Sequence, residues 1–228
     1  MANSAGDPYP GIRFSTDNHG HRLVDHVPPS RRTLAAIACG FLASFVAYAR
    51  FPSGQPPAFY WPLIALCLPI TATAVVFSLQ ALWNRDPVRD RDPESQAIYD
   101  AIVFRAVLFI IGLHGLLVAA MVGAFAGRSW APRTVVILFG LLIMSIGNLL
   151  PRTRPNLEFG VHTRRTLSNR TLWMRTHRVG GRLAVGLGAV IVISGMFLSR
   201  ATIPVVVPPA TLAAVLLWFI SYRWQSRQ

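Results

Sequence analysis

Six histidines, nine carboxylates and 22 arginines are the side chains of this 228-residue chain that could move protons, hold metal or grip anions; there is no lysine. After residue 100 they concentrate between Gly147 and Gly181, where Glu158, His162 and His177 stand with Asn148, Asn156 and seven arginines. One carboxylate with two histidines could in principle ligate a metal or exchange protons with a substrate. No HExxH pattern and no carboxylate pair accompanies them, and Glu158 lies between Arg154 and Arg164. A membrane enzyme using Glu158 and His177 is therefore an alternative only, and no catalytic residue, metal or cofactor is expected. His19, His21 and His26 occur without cysteine in a stretch rich in proline and glycine, which is poor metal-site context. Cys39 and Cys67 each fall inside an apolar run, as packed free thiols do.

What positions these groups is a membrane scaffold. Hydrophobic residues make up 53% of the chain and charged ones 14%, against about 25% charged in a soluble domain. Mean hydropathy is +0.44. The expected fold is all-α, a polytopic transmembrane helical bundle of about six spans. Residues 1–32 read as a flexible cytoplasmic tail with no signal-peptide core, and 33–83 as a hairpin of two spans. Residues 84–100 read as a solvated mixed-charge loop. Residues 101–222 form a four-helix membrane domain with spans near 102–126, 134–150, 183–198 and 202–222, and 223–228 is a cytoplasmic end. Ala36, Gly40 and Ser44 put small side chains on one face of the first span. Pro69 predicts a kink in the second, and Pro204, Pro208 and Pro209 predict an irregular start to the sixth. Gly123 and Gly127 make a GxxxG packing pattern. Arg105 is near enough to the start of a 25-residue apolar run to snorkel to the interface, and His114 lies deeper.

Orientation follows from charge. With six spans and the N-terminus inside, 17 arginines fall on the cytoplasmic side against four outside. A pI near 11.5 would suit nucleic acid, but arginines flanking apolar spans set topology instead, so no direct nucleic-acid partner is expected.

The loop 147–182 is then cytoplasmic and has internal order. Pro151 and Pro155 stop the fourth helix and hold the chain extended, Gly160 permits a turn, and Ser168 or Asn169 caps a short helix over 170–178. That helix carries Leu172, Trp173, Thr176 and Val179 near one face with His177 a turn after Trp173, and Gly180 and Gly181 end it. Each arginine near an anionic leaflet contributes about 1 kcal/mol of attraction, so the loop could simply clamp lipid. Lipid does not require Asn148, Asn156, Ser168, Thr176 or His177 at fixed spacing; these are expected to pin the loop through backbone hydrogen bonds.

The run Gly147, Asn148, Leu150, Pro151, Pro155, Asn156, Gly160, Thr163, Thr166, Leu167, Ser168, Asn169, Trp173, Thr176, His177, Arg178, Gly180 and Gly181 resembles the signature of the SdpI family of bacterial membrane proteins. His162, Arg164 and Arg165 depart from its usual arginine, proline and aromatic residue. The resemblance implies a multi-pass protein of the bacterial plasma membrane that gives immunity to, or senses, a membrane-active extracellular peptide toxin. It also implies signal transduction through a cytoplasmic repressor-like protein held at the membrane. The motif residues, with Arg164 and Arg165, would then form the docking surface. A transporter is the other alternative, although only Arg105 and His114 are ionisable within the spans and no buried acid accompanies them.

Overall fold

In lipid an apolar run must satisfy its backbone internally, and this chain does so with helices. The computed structural model describes residues 27–49, 60–86, 88, 93–121, 131–198 and 203–225, with no strand among them. In chain order the helices are α1 (Arg31–Ala49), α2 (Tyr60–Arg85), α3 (Pro93–Met121), α4 (Ala131–Gly147), a 3-10 turn (Leu150–Arg152), α5 (Arg164–Ser168), α6 (Arg170–Phe197) and α7 (Ile203–Gln225). Helices α1, α2, α3, α4 with its 3-10 extension, and α6 are long and apolar enough to cross a membrane. In α7 the apolar stretch, Val207–Ile220, is shorter. The chain is a polytopic helical membrane protein.

Two packed groups share the bundle. In the first, α1 buries Thr33, Ile37, Gly40, Ser44 and Ala47, a face repeating every three or four residues. Ile37 joins Ala72, Val76 and Trp83 of α2 and Tyr99, Val103 and Val107 of α3 in one core. In the second, α4 and α6 run antiparallel with their backbones nearly touching. A Cβ on Gly140 would lie 2.8 Å from the Gly188 carbonyl oxygen, and one on Gly181 would lie 2.5 Å from that of Gly147. Glycine at both levels, seven residues apart on each helix, is what lets the helices approach so closely. Helix α3 bridges the groups by packing on α1, α2 and α4, and α7 covers α6.

Three expectations change. Residues 84–100 are not a solvated loop: α2 continues to Arg85 and α3 starts at Pro93. Proline is favourable in a first helical turn and Glu94 beside it suits the helix dipole. The glycines 180 and 181 do not end a short helix either, because α6 is continuous from Arg170 to Phe197. They are close-approach sites instead, Gly180 against the Trp218 ring and Gly181 against Gly147 and Pro151. Finally, α7 is helical through Pro208 and Pro209, with Thr211 Oγ1 donating to the Val207 carbonyl beside them. Pro69 likewise lies inside α2, its side chain buried. The tail histidines, the 50–59 connection, Gly123, Gly127 and residues 226–228 lie outside the described residues.

Candidate functional site

Short polar side chains that mimic backbone partners build the loop after α4. The 3-10 turn carries the chain out of α4, and the Thr153 N–H closes on the Leu150 carbonyl. Asn156, buried, then folds the next residues around itself. Its Oδ1 accepts from the N–H groups of Glu158 (2.9 Å) and Phe159 (2.7 Å), and its Nδ2 donates to the Arg154 carbonyl (2.7 Å). That is an Asx turn, the local bonding to which asparagine is suited. Thr163 caps α5 with a reciprocal box: its Oγ1 accepts from the Thr166 N–H, and its own N–H donates to Thr166 Oγ1. Asn169 caps α6, accepting from the Leu172 N–H at 3.0 Å.

Helix α6 supplies the nucleus on which this loop closes. Trp173, fully buried, donates from Nε1 to the Thr153 carbonyl at 3.0 Å and stacks on His177 with ring centroids 3.9 Å apart. The His177 ring bonds the backbone on both sides. Nδ1 donates to the Trp173 carbonyl (2.8 Å), and Nε2 accepts from the Val161 N–H (3.1 Å). These partners demand the neutral tautomer with its proton on Nδ1. Directly over Nε2 sits Gly160, at φ +127°, leaving no room for a Cβ. His162 lies at the edge, 6.1 Å from the Trp173 ring. Desolvation holds its pKa below the ordinary histidine value, with the Asp86 carboxylate opposing.

Ties from three other helices, α2, α3 and α7, fix this nucleus. Asp86, buried at the end of α2, accepts from the Leu157 N–H at 2.7 Å through one oxygen and from the Val88 N–H at 2.8 Å through the other. Phe159 packs on Tyr99 of α3, which stacks on Trp83 of α2 at 4.1 Å. Arg154 pairs with Glu94 of α3 at 2.8 Å. From α7, Tyr222 donates to Thr163 Oγ1 (3.0 Å) and Trp218 donates to the Thr176 carbonyl (3.2 Å). Asn84 of α2 also clamps the chain before α1 by two bonds to the Val27 backbone. One end of the bundle thus gathers the start of α1, α3 and α6 and the end of α2, α4 and α7.

The motif residues divide by direction. Asn156, Thr166, Trp173, Thr176, His177, Gly180 and Gly181 are buried, while Pro151, Pro155, Gly160 and Thr163 are half-buried. Arg164, Arg165, Ser168, Asn169, Arg170, Arg175 and Arg178 are exposed. Of the five polar side chains expected to pin the loop, Asn156 and His177 do so. Ser168 bonds only within α5, to the Arg164 carbonyl. Asn148 is exposed, and the Thr176 hydroxyl is buried without a hydrogen-bond partner. Asp86, Phe159, Tyr99, Tyr222 and Trp218 are the structural partners that spacing within the loop did not indicate.

Arg105 and His114 are elsewhere. Arg105 folds back along α3 to donate to the Ala101 carbonyl at 2.8 Å, as snorkelling requires, and its Nε donates to Ser145 Oγ on α4. His114, fully buried, meets Ser44 Oγ of α1 through Nε2 at 2.7 Å. Among the described residues no three of His, Cys, Asp and Glu come together as a metal site. Both His177 nitrogens face backbone groups, so this ring has no lone pair turned outward for acid–base work.

Residues 152–223 match the SdpI/YfhL protein family. No curated protein and no solved structure matches the chain. The matched stretch starts at the last residue of the 3-10 turn, holds the whole Trp173–His177–Gly160 nucleus and ends one residue past Tyr222, with α1, α2, α3 and α4 outside it. The likeness to the SdpI/YfhL protein family is carried by residues 152–223, the part of the chain that closes the loop onto α6 and α7.

Proposed function

We propose that the chain is an immunity or signalling protein of the SdpI type, responding to a membrane-active peptide toxin and docking an acidic partner on its arginine face. The observation that carries this is the division of the loop: buried uncharged motif residues hold it rigid while Arg164, Arg165, Arg170, Arg175 and Arg178 face outward. A guanidinium presented on a fixed frame suits bidentate capture of carboxylates. The arginine excess on this side supports a cytoplasm-facing loop on a multi-pass protein of a bacterial plasma membrane, where a repressor-like protein could be held. The match of residues 152–223 to the SdpI/YfhL protein family supports the same reading. The enzyme alternative keeps Glu158, while both His177 ring nitrogens bond backbone groups, and the transporter alternative rests on Arg105 and His114.

The test is a pull-down of the detergent-solubilised protein from its own cells, wild type against a variant with Arg164, Arg165 and Arg170 changed to Gln. A cytoplasmic protein retained by wild type and lost in the variant supports docking. Deletion should raise sensitivity to membrane-active peptides. No partner in either sample together with unchanged sensitivity overturns the reading. A second reading, that the exposed arginines clamp anionic lipid, is favoured if the variant instead loses only its affinity for anionic vesicles.

A further inference from the structure

Between α3 and α4, away from the loop nucleus, a cleft of about 330 Å³ opens on the bundle surface. Its walls are Leu108 and Phe109 of α3 and Leu138, Leu141 and Leu142 of α4, with Arg105 and Ser145 as the polar lining groups among the described residues. Leu108 and Leu141 are each 47% exposed, as side chains turned to acyl chains are. Ser145 stands two residues before the end of α4, about 3 Å along its axis. The polar pair therefore lies toward the loop-side surface of the membrane, and the apolar walls run from it toward the middle.

Arg105 is a permanent cation with five donor hydrogens. Two go to the neutral oxygens of Ser145 and Ala101, and no carboxylate among the described residues pairs with it. Snorkelling alone accounts for its backward turn but supplies no counter-charge. An ionised group at membrane depth calls for a partner. We propose that this cleft binds one anionic phospholipid of the loop-side leaflet, its phosphate on Arg105 and Ser145 and an acyl chain along Leu108, Phe109, Leu138 and Leu142. Charge complementarity selects the headgroup, and the apolar wall selects a lipid over a soluble phosphate. The site is separate from the exposed arginines of the loop and does not depend on a docking role for them.

Native mass spectrometry of the full chain from micelles doped with phosphatidylglycerol or phosphatidylcholine reads the site directly. Wild type should retain one phosphatidylglycerol that survives dilution and resists glycerol phosphate. Arg105→Gln should weaken that retention about fivefold, the worth of one phosphate contact of about 1 kcal/mol, and Arg105→Lys should restore most of it. Leu142→Trp, which fills the cleft and leaves every arginine in place, should abolish it even if Arg105→Gln fails to fold. Replacing Arg164, Arg165 and Arg170 by Gln should leave it intact. Retention unchanged in Leu142→Trp, equal retention of phosphatidylcholine, displacement by glycerol phosphate, or loss only in the loop variant would each overturn the proposal.

Discussion

A Cβ placed on Gly160 would land on Nε2 of His177, the atom that accepts the Val161 N–H. The loop closes over α6 only because residue 160 has no side chain and takes φ +127°. Gly160→Ala should therefore displace the ring and strain the backbone, a loss on the order of 2 kcal/mol or more. His177→Ala strands the buried Val161 N–H and should cost about 1–3 kcal/mol. The two should not add: with the ring gone, Gly160→Ala keeps only its backbone strain. Unfolding of the four proteins in detergent, followed by tryptophan fluorescence, measures this, and equal effects of Gly160→Ala in both backgrounds would refute the contact.

Asp86 offers a second handle on the same loop. Both carboxylate oxygens accept backbone N–H groups, from Val88 and from Leu157, so Asp86→Asn must turn an NH2 group against one of them. The expected result is a folded protein whose Leu157 amide exchanges with solvent faster, reflecting a local loss of about 1–3 kcal/mol. Unchanged protection at Leu157 in a hydrogen-exchange experiment would show that Asp86 does not hold the loop.

Five of the about six expected spans, and part of the loop grammar, were legible because each rests on local information. Apolar runs mark helices, the Ser168–Asn169 pair beside a helical pattern marks a cap, which falls on Asn169, and the Trp173–His177 spacing puts both rings on one face. Asp86 was illegible because its partner Leu157 is 71 residues away, and among the alternating charges of 84–91 it reads as solvated. Phe159 was hidden in the same way by Tyr99. The pair Gly180–Gly181 misled for a physical reason: in water two glycines end a helix, whereas against Trp218 and Pro151 they let α7 and the 3-10 turn approach α6. Absence of a side chain is one signal with two uses, and only packing distinguishes them.

Tyr222 and Trp218 carry the influence of α7 to the loop. Tyr222→Phe removes the bond to Thr163 Oγ1 and should cost about 1 kcal/mol, without moving α7, because Trp218 still bonds the Thr176 carbonyl. Trp218→Leu removes that second bond and empties the surface over Gly180. Gly180→Ala should be better tolerated in the Trp218→Leu background than alone, since its Cβ would otherwise lie 2.8 Å from Trp218 Nε1. Thermal melting of the single and double variants reads the coupling, and additive losses would place Trp218 away from Gly180.

Two glycines two residues apart on α6 make the sharpest contrast. Gly186 has nothing within 4 Å of where a Cβ would stand, whereas a Cβ on Gly188 would lie 2.6 Å from the Gly140 carbonyl oxygen and press on Met144. In the middle of a helix glycine is less favourable than alanine by about 0.5–1 kcal/mol. Gly186→Ala should therefore raise stability by up to that amount in an aqueous-like helix reference, or leave it unchanged where lipid already enforces the helix. Gly188→Ala gains the same propensity and must also force α4 and α6 apart along the crossing at Gly140. Backbone cannot rotate away as a flexible side chain can, so the net effect should be a loss of about 1–3 kcal/mol, as for other overpacked sites. Melting temperatures in detergent that rise or hold for Gly186→Ala and fall for Gly188→Ala would establish the crossing, and a fall of equal size in both would show that α6 meets its neighbours on another face.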